Sequence, residues 1–261
     1  WNSLMITAFA KGYRVTNDVR YLNAAQNCIS FIEKNLFVDD NLLRTYKNGN
    51  AKINGYLEDY SYFINALLDV FEIDPNQKYL KLALKLGHHL IDHFWDSENN
   101  SFFMTSDDHE KLIIRPKSNY DLSLPSGNSV SSFVMLRLYH LSQEQSFLDI
   151  SIKIMESQAQ MAAENPFGFG YLLNTISVYL EKPVEITIIN SENSEICNSL
   201  FTTYLPSSFM VTIENSDQLN TLSDYPFFSG KSFEDQTSVF ICKNFSCSLP
   251  LHTLDEVNSE L

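Results

Sequence analysis

Residues 55–72 read GYLEDYSYFINALLDVFE, a glycine and two adjacent acids followed by an almost unbroken aromatic and apolar run. A run that is apolar nearly all round predicts a helix enclosed by other elements. Glu58 and Asp59 stand where this helix begins. Acids at such a position either cap the helix or line the mouth of a pocket. The rest of the sequence bears on that choice.

The same arrangement recurs along the chain. A shift of 58 residues brings Tyr21-Leu22 onto Tyr79-Leu80, and a shift of 68 residues brings Phe147-Leu148 onto the same pair. Each copy predicts an apolar inner helix, a short polar link and an amphipathic outer helix, which form a hairpin. The predicted inner helices are 4–15, 60–72 and 128–141, the outer helices are 21–35, 79–94 and 147–162, and a partial fourth copy starts near residue 167.

After Pro183 the residue pattern changes from helical repeats to short β-branched runs. Apolar, β-branched runs at 184–190, 209–215 and 238–244 predict strands, and 194–205 predicts a helix. Strand, helix and strand in succession predict a parallel pair. We therefore expect a helical-hairpin domain over 1–182 and a small α/β subdomain with about three strands over 183–261. A further strand hairpin is predicted within 102–116.

Composition excludes several classes of function. The formal net charge is −14, with 18 basic residues and no Lys/Arg cluster, so nucleic acid is not an expected partner. No apolar run approaches the roughly 20 residues that cross a bilayer, so no membrane partner is expected either. Four cysteines are too few for a disulfide framework in a chain this size, which favours a cytoplasmic setting. The chain opens on a helix already in progress, as a piece of a longer protein would.

The repeat places three polar clusters at equivalent positions. In its register Asp59 falls on Trp1 and on Gly127, while Tyr60 falls on Asn2 and Asn128. If the hairpins wrap into a ring, these inner-helix N-termini converge on one rim. Free N–H groups, carboxylates and aromatic rings gathered there suit a polyhydroxylated ligand. Helix capping alone explains each acid, and Ser126, equally well.

Four phrases carry a family resemblance: GYLEDYSYFINALLDVFE, FWDSENNSFFMT, IIRPKSNYD…LPSGNSVSSFVMLRL and CKNFSCSLP. They resemble the spermatogenesis-associated protein twenty family over essentially the whole chain. The resemblance implies a mainly α fold, an (α/α)6 toroid of the six-hairpin glycosidase and N-acylglucosamine 2-epimerase type. It also implies a preceding thioredoxin-like domain as a partner, and an incomplete ring in this chain. The Glu58–Asp59 pair matches the acid pair of the family.

Such toroids hydrolyse or epimerise sugars with acids or histidines on the rim, so the resemblance implies a carbohydrate-related enzyme or binding protein. Glycoside hydrolysis needs two carboxyl groups that flank the bond. Because neighbours in sequence rarely point the same way, we pair Asp59 with Asp121 rather than with Glu58. The predicted catalytic residues are Asp59, Glu58 and Asp121, and the predicted ligand-binding residues are Trp1, Asn2, Tyr60, Arg115, Lys117, Ser126 and Asn128.

Other residues receive plainer interpretations. His88, His89 and His93 lie on the second outer helix, away from the predicted rim, and are interpreted as packing or surface residues. Arg115 and Lys117 either grip an anionic substrate group or anchor their loop. Cys242 and Cys247 are interpreted as a packed, reduced pair. No metal and no cofactor are expected.

The alternative to a sugar-active protein is a non-catalytic scaffold. It would present clients to the thioredoxin-like domain in thiol-redox or quality-control work, with Cys242 and Cys247 as redox partners. An incomplete ring exposes apolar helix faces, so we also expect self-association into a homo-oligomer.

Overall fold

In the part of the chain that the structure describes, seven helices precede the C-terminal sheet, as predicted. The computed structural model describes residues 1–110, 113–190 and 194–261, and no helix in these ranges is both long and apolar enough to cross a membrane. The helices form three hairpins and a single final helix. They are α1 (Asn2–Thr16), α2 (Val19–Asn35), α3 (Leu57–Phe71), α4 (Gln77–Phe94), α5 (Gly127–Ser142), α6 (Gln145–Glu164) and α7 (Gly170–Glu181).

The helices differ in burial as the patterns indicate. The inner helices α3 and α5 are buried on nearly every side, whereas the outer helix α4 buries one face that includes Leu80, Leu90 and Phe94, as an amphipathic helix does. Helix α1 packs against α3, and α3 against α5, so the inner helices form one continuous row. The mainly α fold of hairpins is therefore confirmed. Helix α1 buries only Ser3, Ile6 and Ala10, so one of its flanks is more open.

A buried charge network locks the inner helices together. The Arg137 guanidinium on α5 donates to Asp69 at 2.9 Å, to the Asn65 side chain at 2.7 Å and to Glu72 at 2.8 Å, all on or just after α3. Thr7 on α1 donates to the other Asp69 oxygen at 2.7 Å.

The contacts advance in the same direction along each pair of helices. Arg14, further along α1 than Thr7, lies 3.6 Å from Glu72, further along the chain than Asp69. Gly127 at the start of α5 likewise meets Leu57 at the start of α3, whereas Arg137 meets Asp69 near its end. The three inner helices are therefore parallel, and their N-termini lie at the same end.

The links between hairpins contain small sheets. After α2, strands β1 (Phe37–Val38), β2 (Asn41–Lys47) and β3 (Asn50–Asn54) form an antiparallel sheet. Its turn holds Asn48 and Gly49, both with positive φ, which is the residue pair that a type I′ turn requires. This sheet was not predicted. The Asn-Gly dipeptide was the available signal, but exposed polar residues weaken the alternation around it.

The strand hairpin predicted within 102–116 is wrong in position. Strands β4 (Trp95–Asp96) and β5 (Ser101–Phe102) form a shorter hairpin that begins directly after α4. Residues 103–110 and 113–126 then run without a strand, and residues 111 and 112 lie outside the described ranges. The apolar side chains that suggested strands are not part of a sheet. Ile113 and Ile114 are exposed, and the Phe103 ring packs against the Arg115 guanidinium.

The C-terminal part contains all three predicted strands and a fourth. Strands β6 (Val184–Ile189) and β7 (Ser208–Ile213) are parallel, as predicted, and β8 (Ser238–Lys243) and β9 (Ser246–Cys247) extend the sheet in the order β7-β6-β8-β9. Helices α8 (Glu195–Thr202), α9 (Ser216–Leu222) and α10 (Leu254–Glu260) accompany it; α9 and α10 were not predicted.

The sheet packs on the C-terminal ends of the inner helices. The Thr212 backbone N–H on β7 donates to the Glu72 carbonyl at 3.0 Å, immediately after α3. Phe209 and Val211 join the same apolar core as the helical hairpins. The sheet therefore closes the end opposite the predicted rim. The division of the chain near residue 182 stays a prediction, although α7 ends at Glu181 and β6 begins at Val184.

The prediction of a reduced cysteine pair is wrong. Cys242 and Cys247 form a disulfide bond between β8 and β9, whereas Cys28 and Cys197 are free. Spacing along the chain did not reveal the bond, because the two residues become neighbours only through the strand pairing that sets them opposite each other.

Replacement of Arg137 by methionine tests the network. We expect Arg137→Met to lower the free energy of unfolding by about 3–5 kcal/mol, because Asp69 would remain buried without its cation. Urea denaturation measures the change. Arg20→Met is the control, since Arg20 pairs with Asp18 at the exposed surface and its loss should leave the midpoint unchanged. If Arg137→Met were as stable as Arg20→Met, Arg137 would not be the buried partner of Asp69.

Candidate functional site at the inner-helix tips

The tips of α3 and α5 touch. A Cβ atom at Gly127, the first residue of α5, would lie 2.8 Å from Leu57 Cγ and 3.3 Å from the Glu58 backbone nitrogen. Only glycine allows this approach. The Tyr62 hydroxyl on α3 also donates to the Pro125 carbonyl just before α5. The structure thus brings two of the three predicted polar clusters together at one end of the helix row.

The two adjacent acids converge on one cation. Arg44, on β2, lies 2.9 Å from Glu58 Oε1 and 2.9 Å from Asp59 Oδ2 through its two terminal nitrogens. Its guanidinium also lies over the Tyr56 ring at 4.6 Å. The expectation that neighbouring acids diverge is therefore wrong here. The planar fork of arginine is wide enough to hold a carboxylate on each side, so it gathers both.

Asp59 also caps its helix. Its Oδ2 atom accepts the Tyr56 backbone N–H at 2.9 Å, which satisfies a free donor at the start of α3. Burial raises the pKa of Asp59, and the Tyr56 N–H and the Arg44 cation oppose that rise without cancelling it. Capping and site chemistry are thus not exclusive at this residue. One carboxylate holds the helix end and remains at the rim.

Asp121 ties the next two helix tips together. One of its oxygens accepts the Ser126 N–H at 2.7 Å, and the other accepts the Tyr171 N–H at 2.8 Å and the Leu172 N–H at 3.4 Å. It therefore joins the start of α5 to the start of α7. Burial, followed by the charges of Glu58, Asp121 and Asp59, raises the pKa of Tyr62 to about 12. All three predicted catalytic carboxylates accordingly lie within electrostatic range of one hydroxyl.

The other predicted ligand-binding residues anchor the segment after β5. Asn128 is buried; its side chain accepts the Phe102 N–H at 2.7 Å and donates to the Ser118 carbonyl at 3.1 Å. Arg115 donates to the carbonyls of His93 and Thr105, and Lys117 pairs with Asp96. Ser126 caps α5 by accepting the Ser129 N–H at 3.0 Å. Contact of these side chains with a ligand stays a prediction.

Trp1, Asn2 and Tyr60 occupy less convergent places. Trp1 is 90% exposed at the tip of α1, and Asn2 beside it is exposed. Tyr60 is buried, and its hydroxyl accepts the Leu42 backbone N–H at 2.9 Å. Its ring stacks on His89 at 4.9 Å. Tyr60 therefore packs behind the rim.

The histidines lie closer to the rim than predicted. Helices α3 and α4 form an antiparallel hairpin, so the C-terminal half of α4 lies beside the start of α3. His89 accordingly packs against Tyr60, and His93 lies 2.8 Å from Asp107 in the segment after β5. Burial lowers the pKa of His89, and the neighbouring His93 adds to the effect. Within the described ranges, no three His, Cys, Asp or Glu side chains are placed to hold a metal ion.

The rim is shallow. A cavity of about 10 Å³, which has room for a single water, lies among Tyr56, Leu57, Glu58, Met104, Ser118 and Gly127. The Met104 carbonyl accepts the Leu57 N–H at 2.9 Å and so draws the segment after β5 across the helix tip. The Glu58 side chain is nevertheless 38% exposed and that of Arg44 33%. A ligand would meet these groups from outside, on the surface of the rim.

The chain is similar to curated proteins over nearly its whole length. It is 25% identical over 267 residues to human spermatogenesis-associated protein 20, covering 96% of this chain and 34% of that protein. The family resemblance is confirmed. An uncharacterised protein of Caenorhabditis elegans is 24% identical, with 98% of this chain and 36% of that protein covered. The chain spans about a third of the length of these relatives. No protein-family model matches it.

Solved structures show the same fold. D-mannose isomerase gives a TM-score of 0.50 at 17% identity, over 62% of this chain and 40% of that chain. An inactive variant of an α-1,6-mannanase from Salegentibacter sp., in complex with α-1,6-mannotetrose, gives 0.50 at 20% identity, over 60% of this chain and 45% of that chain. The chain is thus part of an (α/α) toroid, with less than half of either neighbour represented.

Alanine at Gly127 tests the contact between the helix tips. We expect Gly127→Ala to destabilise the protein by about 1–3 kcal/mol in urea denaturation, because the added methyl group overlaps Leu57. Gly170→Ala is the matched control, since Gly170 is also the first residue of a helix but has open space at its Cβ. Equal stability losses in the two variants would show that the tips of α3 and α5 do not meet.

Removal of Arg44 tests the shared ion pair. We expect the pKa of Asp59 to move further upward in Arg44→Met, because burial would then act with less opposition from a cation. Carbon-13 NMR of the side-chain carboxyl groups follows the titration. Lys52→Met, a cation lost from the neighbouring strand β3, should leave the Asp59 titration in place. An unchanged Asp59 pKa in Arg44→Met would exclude the contact.

Proposed function

We propose that the rim around the α3 tip binds a carbohydrate-like ligand and that Glu58 and Asp59 supply the carboxyl groups for hydrolysis of a glycosidic bond. The observation that carries this proposal is their convergence on Arg44 at the tip of an inner helix. Glycoside hydrolysis usually requires two carboxyl groups that flank the scissile bond, and these two lie close together. Arginine between them keeps the pair close when no substrate is bound.

A structural neighbour offers a parallel for the use of adjacent acids. The inactive α-1,6-mannanase variant carries substitutions at two consecutive aspartates. This chain also has two consecutive acids, Glu58 and Asp59, at the start of an inner helix of the same fold. The parallel lies in the pattern of adjacent acids and in the shared toroid, and it favours hydrolysis over isomerisation.

The environments of the two acids suggest different roles. Burial raises the pKa of Asp59, which favours a proton donor, whereas Glu58 is more exposed and suits activation of water. Both oxygens of Asp121 are occupied by backbone N–H groups, so we assign it to positioning the tips of α5 and α7. Tyr56 offers a ring face for stacking once a ligand displaces Arg44.

Oligosaccharide binding tests the proposal. Titration calorimetry of the full chain with α-1,6-linked mannotetraose should show saturable binding, weakened about tenfold or more in Glu58→Gln and in Asp59→Asn, because each loses a charged hydrogen-bond acceptor. Hydrolysis of the same tetrasaccharide should cease in both variants. Asp149→Asn is the control, an acid near the start of the outer helix α6 that should leave both readouts unchanged.

Two results would overturn the proposal. One is the absence of binding and hydrolysis for this tetrasaccharide and for β-linked oligosaccharides alike. The other is activity that survives in both acid variants.

A further inference from the structure

The disulfide lies at the tip of a tight hairpin far along the chain from the rim. Lys243 pairs with Ser246, and the two residues between them, Asn244 and Phe245, both have positive φ, as a type I′ turn requires. Cys242 and Cys247 form the next pair outward, directly opposite each other. The hairpin therefore places the two cysteines side by side through its strand pairing.

The two cysteines differ in access. Cys242 is 1% exposed within the sheet, whereas Cys247 lies on the exposed edge strand β9. Where one residue of the pair is exposed and the other buried, an outside thiolate or disulfide reaches the exposed residue first. Any exchange reaction must therefore begin at Cys247.

A lysine lies beside the Cys247 sulfur. Lys231 Nζ lies 3.9 Å from Cys247 Sγ and also donates to the Phe227 carbonyl, which fixes its position. The ammonium group lies near the rings of Phe227 and Phe240. Burial lowers the pKa of Lys231, and the charge of Glu185 on β6 opposes that effect. A fixed cation at this distance stabilises a thiolate and makes it more reactive near neutral pH.

We propose that Cys242 and Cys247 form a thiol–disulfide exchange site, in which Cys247 is the attacking sulfur, Cys242 the resolving sulfur and Lys231 the cation that holds the Cys247 thiolate. The substrate class is an accessible disulfide of a peptide or protein. The other two cysteines do not fit the role. Burial raises the pKa of Cys28, and burial raises that of Cys197 to about 12.

The reaction balances as a two-electron exchange. The Cys247 thiolate attacks one sulfur of the substrate disulfide, which forms a mixed disulfide and releases one substrate thiolate. Cys242 then loses its proton and attacks Cys247 Sγ, which forms the observed Cys242–Cys247 bond and releases the second substrate thiol. The protein pair is oxidised and the substrate disulfide is reduced. A dithiol returns the pair to its reduced form by the reverse steps.

Site-resolved alkylation tests the proposal. The full chain is reduced with dithiothreitol, freed of reductant and treated with limiting iodoacetamide, and mass spectrometry follows each cysteine. Cys247 should react fastest of the four. Lys231→Met should slow Cys247 by about three- to tenfold, because its thiolate loses the neighbouring cation.

Lys243→Met is the matched control. Lys243 is next to Cys242 in sequence, but its ammonium group bonds the Glu260 carbonyl, so its loss should leave the Cys247 rate unchanged. In Cys242→Ser, oxidised glutathione should accumulate as an adduct on Cys247, since the resolving sulfur is gone. This second measurement does not depend on how well Lys231→Met folds.

Three outcomes would overturn the inference. The first is a native disulfide that stays oxidised in excess dithiothreitol. The second is equal alkylation rates for Cys242 and Cys247, or an unchanged Cys247 rate in folded Lys231→Met. The third is the absence of a glutathione adduct in Cys242→Ser, and each of these would identify a purely structural crosslink.

Discussion

The buried guanidinium of Arg137 determines how the helical part is arranged. It is 3% exposed and bonds Asp69 and Asn65 on α3 and Glu72 directly after it, while Asp69 also accepts a hydrogen bond from Thr7 on α1. A buried cation requires partners on every side, and a helix that slid or reversed would leave charges unpaired. The network thus selects the parallel register of α1, α3 and α5 among the many packings that apolar contacts alone would allow.

Parallel inner helices bring their positive ends to one side of the molecule. Carboxylates collect there for reasons of folding, because they satisfy free N–H groups and oppose the helix dipoles. Asp59 caps α3, and Asp121 binds the starts of α5 and α7. The acids that stabilise the helix ends are thereby gathered within reach of a ligand. Capping and binding, which looked like rival explanations from the sequence, describe the same side chains.

The sequence predicted what repeats and periodicity can encode. The apolar runs at 60–72 and 128–141 predicted α3 and α5 because burial on all sides leaves a direct trace in composition. Strands β6, β7 and β8 were predicted for the same reason. The role of Arg44 was not predictable, because it reaches Glu58 and Asp59 from a polar hairpin whose strands are mostly exposed. The Cys242–Cys247 bond likewise depends on a two-residue turn at Asn244 and Phe245. Both residues have positive φ, and because such turns usually contain glycine, the sequence carries no signal of the hairpin.

The close approach of Gly127 to Leu57 limits which parts of the rim can change its ligand specificity. Where a backbone nitrogen and a leucine leave no space for a methyl group, the helix tips cannot be spread without loss of packing. The geometry of the acids is then inherited with the scaffold, and new specificity must come from the segments laid over it. In this chain those segments are the β2–β3 hairpin with Arg44 and residues 103–110 and 113–126, which lie beside the tips without forming them.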